Sequence, residues 1–74
     1  MIKSYFYGTV QNAKEAAAKV VKVQNGIKKY FYFDCYPDAI QFAEGLKPLV
    51  EKGRITRLDT YIRGNGKWLK ELEF

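Results

Sequence analysis

Residues 19–33 read KVVKVQNGIKKYFYF, and the fold turns on how that stretch is taken. Two readings compete. Ala13, Ala16, Ala17, Val20 and Val21 recur at helical spacing, and Asn12 with Glu15 resembles a capping box. Yet residues 19–24 run straight into Asn25-Gly26 and then into the β-branched and aromatic run 27–33. Asn-Gly between two such runs is the strongest short-range hairpin signal, because both residues tolerate positive φ. The hairpin is the reading taken, with strands 19–24 and 27–33 and with 12–18 as a loop or short helical turn. It carries a cost. A two-residue turn sets Lys22 opposite Lys29, a three-residue loop sets Lys22 opposite Lys28, and like charges directly opposed are unfavourable.

On the N-terminal side, Ile2 to Val10 is β-branched and aromatic with an approximate period of two, a strand. On the other side, Asp34 to Asp38 ends the second hairpin strand. Pro37 and Asp38 both favour the first turn of a helix. Ala39, Ile40, Phe42, Ala43, Leu46, Leu49 and Val50 then form one apolar stripe at helical spacing, over 37–52. Pro48 removes a backbone donor and disfavours helical geometry at Lys47, which predicts a kink or early stop there. Gly53 supplies the C-terminal cap. Arg54 to Arg63 reads as a strand, Gly64-Asn65-Gly66 as a turn, and Lys67 to Phe74 as a last strand with Trp68, Leu72 and Phe74 on one side. The order is β-β-β-α-β-β. It predicts one α+β domain over 1–74, a two-layer solution: a mainly antiparallel sheet of four or five strands with the helix on one face.

Composition removes several classes of function. The chain has 74 residues, no His and one Cys, so it offers no ligand set for a structural zinc and no internal disulfide. Without His, neither a Cys–His nor a Ser–His nucleophile can be built. No secretory-signal pattern or membrane-length apolar run is present, and the expected location is the cytoplasm. Cys35, at the strand-to-helix junction, reads as a partly buried small residue or weak cap. Glu71 and Glu73 read as charges that keep an exposed strand from aggregating, not as acid–base catalysts. Gly64-Asn65-Gly66 lacks the strand-then-helix context of a phosphate loop. No enzyme, metal or cofactor is expected.

Sorting each strand by face yields the one informative pattern. Ile2, Ser4, Phe6, Gly8 and Val10 alternate with Lys3, Tyr5, Tyr7 and Thr9. Ile27, Lys29, Phe31 and Phe33 alternate with Lys28, Tyr30 and Tyr32. Thr56, Leu58, Thr60 and Ile62 alternate with Ile55, Arg57, Asp59, Tyr61 and Arg63. The helix is expected to cover the Phe and aliphatic side. The other side then carries Tyr5, Tyr7, Tyr30, Tyr32 and Tyr61, with the cations Lys3, Lys22, Lys28, Arg57 and Arg63.

Flat aromatic rings stack bases, while Lys and Arg follow phosphates, so this face suits single-stranded nucleic acid. The net charge of +5 is compatible with a polyanion, yet it is also what keeps a small domain soluble. Tyrosine is a good strand former too, and Tyr–Lys pairs stabilise any half-exposed sheet. The expectation is a small non-enzymatic binding module for single-stranded nucleic acid. The alternative is a protein–protein interaction or inhibitor module using the same face or a strand edge, including self-association as a homodimer. In size and charge alone the chain is similar to accessory proteins of bacteriophages and mobile elements.

Overall fold

The computed structural model describes residues 5–7, as backbone, and 16–74. Five strands and one helix follow in the order β1 (Tyr5–Tyr7), β2 (Ala18–Gln24), β3 (Ile27–Phe33), α1 (Tyr36–Glu51), β4 (Arg57–Gly64) and β5 (Lys67–Glu73). The strands form a single sheet in the spatial order β1-β3-β2-β4-β5, and every pairing is antiparallel. The α+β class, the element order and the helix on one face are as the sequence predicts. Among the described residues, no helix is long and apolar enough to cross a membrane.

The hairpin turn decides the register of the sheet. Asn25 and Gly26 both adopt positive φ, 54° and 76°, so the two-residue turn twists with its strands. Gln24 pairs with Ile27, which places Lys22 opposite Lys29 at the cost anticipated for that turn. β2 begins at Ala18, and residues 12–15 of the competing helical reading lie outside the described residues.

α1 opens with Pro37 in its first turn. Cys35 precedes it with extended backbone but makes no side-chain capping bond, and its thiol is exposed; the partly buried capping role expected for it is not observed. The helix also does not stop at Pro48. It runs one turn further to Glu51, because a proline so near the end removes one donor while its carbonyl still accepts the Lys52 N–H at 3.0 Å. Gly53, at φ 78°, donates to Val50 O, and Arg54 donates to Leu49 O at 2.9 Å. Those two bonds satisfy the last carbonyls in a Schellman motif.

Ala39 and Ala43 are fully buried, and their small side chains bring the helix close to the sheet. Phe42 packs its ring at a tilt against Phe31 and Phe33, with centroids 4.8 and 5.4 Å away. Ala18, Val20, Ile55 and Leu58 complete the core; Ile55 precedes β4, which starts at Arg57 and not Arg54, so strand alternation does not carry it to the Arg57 side as expected.

Directly paired residues share a face, and the observed registers correct face assignments on three strands. Tyr5 pairs with Phe33 and Tyr7 with Phe31, so both tyrosines occupy rows of the helix side, while Phe6 is registered with Tyr32. The expectation aligned phenylalanines with phenylalanines across strands; a one-residue difference in register reverses the face of every position. Lys22 pairs with Lys29 and Leu58, also on the helix side. On β5, Trp68 parts from Leu72 and Phe74. A bulge lets consecutive Thr60 and Tyr61 face Leu72 and Lys70, leaving Glu71 as the extra residue. The buried Thr60 hydroxyl accepts the Leu72 N–H at 3.1 Å, supplying an acceptor within the irregular stretch.

Candidate nucleic-acid interface

On the face opposite α1, β3 contributes Lys28, Tyr30 and Tyr32, and β2 contributes Val23, Val21 and Lys19. β4 adds Arg57, Asp59, Tyr61 and Arg63, and β5 adds Trp68, Lys70 and Glu73. The centre of this face is Lys19. Its Nζ lies 5.3 Å from the Tyr30 ring centroid, 5.0 Å from that of Tyr61 and 4.6 Å from that of Trp68. Burial under these rings is the main cause holding its pKa below the ordinary 10.5, with repulsion from Arg63 and Lys28 adding to it.

The rings differ in what they can offer. Tyr32 is buried at 6% exposure, edge-on to Tyr30 and 6.4 Å from Trp68, so it supports its neighbours from below. Its pKa is raised above 10.0, first by burial and then by Tyr30. Tyr30 is 36% exposed, and Tyr61 and Trp68 are half-buried. These three present surface to a ligand.

The cations divide as well. Arg63 donates its Nε–H to the Ala16 carbonyl at 2.8 Å and lays its guanidinium 4.4 Å from the Trp68 ring. Lys28 lies 6.0 Å from the Tyr30 ring. Arg57, by contrast, sits 3.4 Å from Asp59 and 3.5 Å from Glu73, and Lys70 reaches the same carboxylates at 3.8 and 3.9 Å. The β4–β5 corner is therefore neutralised internally, and Asp59 is buried beneath it.

Of the residues singled out in the sequence, Lys28, Tyr30, Tyr32, Arg57, Tyr61 and Arg63 thus share one face. Tyr5 and Tyr7 are registered to the other, and Lys3 lies outside the described residues. Two central residues were missed. Lys19 was legible: the two-residue turn that pairs Gln24 with Ile27 also pairs Lys19 with Tyr32. Trp68 was not, because the bulge that frees it from the Leu72 row carries no local turn signal. Compared with known proteins, the chain matches no family model, no curated protein and no solved structure.

Proposed function

We propose that this protein is a non-enzymatic module that binds single-stranded nucleic acid on the face opposite α1. Tyr30, Tyr61 and Trp68 stack bases, and Lys19, Lys28 and Arg63 meet phosphates. Stacking on an aromatic ring is worth about 1–3 kcal/mol per base and tolerates any base, so the expected preference is for single strands without strict sequence. The observation that carries the proposal is the gathering of three accessible rings around Lys19, on a part of the face where none of the described residues is a carboxylate. Arg57 has no part in it, since a phosphate there must compete with Asp59 and Glu73.

The test is fluorescence anisotropy of a labelled single-stranded oligonucleotide at about 50 and 200 mM salt. Three phosphate contacts give a logarithmic salt slope near −2, hence a roughly 20-fold loss of affinity over that range. Binding that falls this way, and falls again in Tyr30→Ala, supports the platform. Absence of binding at the lower salt overturns it.

One observation favours a protein partner instead. Leu69 and Leu72 are 50% and 46% exposed on the helix side of β5, beside half-buried Ile62 and beyond the cover of α1. A protein contact there predicts weak salt dependence and loss of binding on Leu69→Ser, with Tyr30→Ala neutral.

A further inference from the structure

The β2–β3 hairpin tip is basic on both faces. Lys28 projects with Tyr30 on the far side, whereas Lys22 and Lys29 stand opposite one another on the helix side. Together with Gln24, Asn25 and Ile27 they line an open cleft of about 130 Å³. Opposed like charges destabilise a sheet, and a turn of this type leaves the pair no other register. Among the described residues neither ammonium enters an ion pair. Lys22 Nζ lies 5.6 Å from the Phe31 ring.

We infer that this cleft is an oxyanion site that takes a phosphate group. Its chemistry is one-sided: two ammonium groups supply only donors, the Gln24 and Asn25 amides can add more, and the charge of two lysines matches a phosphate dianion. Such a ligand converts the repulsion between Lys22 and Lys29 into attraction of both toward one centre. The phosphate can be a free ion or a group of a polymer backbone. The site is independent of the aromatic face, since Lys22 and Lys29 belong to the opposite side of the sheet.

The experiment follows backbone amide shifts of the whole protein by NMR during titration with inorganic phosphate, against chloride at matched ionic strength, and separately with a single-stranded oligonucleotide. Each titration is repeated with Lys22→Gln/Lys29→Gln, a variant that relieves repulsion and so folds. Saturable shifts at Lys22, Asn25, Gly26 and Lys29 with phosphate, weakened at least tenfold in the variant, support the site with a free anion as ligand. Saturable shifts only with the oligonucleotide, lost in the variant, support it with backbone phosphate as ligand. Shifts that match the chloride control, or that persist in the variant, overturn it. Tyr30→Ala serves as the separate control: it weakens oligonucleotide stacking without changing the phosphate titration, so failure of one site is read apart from failure of the other.

Discussion

Replacing Trp68 by alanine is the sharpest perturbation of the proposed platform. The indole is the ring nearest Lys19, at 4.6 Å, and the ring on which Arg63 rests, at 4.4 Å. Loss of one stacked base costs about 1–3 kcal/mol, a factor of roughly 5 to 150 in affinity. The two cation contacts are worth about 0.5–1 kcal/mol each at a half-exposed site, and they act on the fold. The fold itself survives. Trp68 is only half-buried on an edge strand, so the loss falls below the roughly 3–5 kcal/mol of a core Trp→Ala change and within a stability of about 5–15 kcal/mol. Oligonucleotide anisotropy read beside a urea melt separates the two effects. Trp68→Ala is expected to lower affinity at least fivefold with a cooperative melt retained, and Trp68→Phe to recover part of the loss. A folded Trp68→Ala protein whose affinity stays within twofold of the parent refutes the stacking role.

Further outcomes follow from the same geometry. Lys28→Ala should make the logarithmic salt slope shallower by about 0.7, the value of one single-strand phosphate contact, whereas Arg57→Ala should leave it unchanged because Arg57 already serves Asp59 and Glu73. Lys29→Glu replaces the repulsive pair with Lys22 by an attractive one, and should stabilise by about 0.5 kcal/mol, a rise of roughly 2–4 °C in the melting midpoint by calorimetry. Lys19, its pKa lowered from 10.5, is deprotonated more readily folded than unfolded, so its contribution to stability grows as pH rises from the lowered value toward 10.5; oligonucleotide binding weakens over that window, and Lys19→Arg removes both trends. Tyr32 acts in the opposite sense: its raised pKa contributes stability that is complete below 10.0 and lost as pH climbs through the raised value, and Tyr32→Phe flattens that alkaline loss in pH-dependent melts. Thr60→Val leaves the Leu72 N–H and the Tyr36 hydroxyl without their shared partner and should cost about 2 kcal/mol in urea melts.

Local signals made most of the architecture legible. Asn25-Gly26 named the hairpin, Pro37 and Gly53 bracketed the helix, and the 39–50 stripe showed which face it buries. Each is a property of a few adjacent residues. The faces of the outer strands are another matter, since they depend on register between strands distant in sequence. For β1, alternation alone could not say whether Tyr5 and Tyr7 or Phe6 share the row of Phe31 and Phe33; the pairing Tyr5 with Phe33 decides it. Within the hairpin, register was available from the turn, and carrying it five residues down the strands would have exchanged Lys22 for Lys19 in the candidate site. Arg57 looked equivalent to Arg63 on alternation, because its neutralisation requires Glu73 from a different strand.

The bulge on β5 is what lets one edge strand serve both layers. Under strict alternation Trp68, Lys70 and Leu72 share a face, so either the indole joins the helix side or Leu72 and the residues beyond it turn away from the core. One extra residue, Glu71, removes that conflict: Trp68 and Lys70 keep the far face, while Leu72 and Phe74 return to the helix side, where Phe74 packs on the core. The irregularity has its own internal support. Thr60 is fully buried and its hydroxyl takes the Leu72 N–H while bonding the Tyr36 hydroxyl of α1 at 3.1 Å. The same side chain therefore ties the helix to the sheet and fixes the point at which β5 changes phase. The position of Trp68 over Lys19 and Arg63 thus depends on a threonine on the opposite face of the sheet, and the aromatic site is coupled to the core through the parity of one strand.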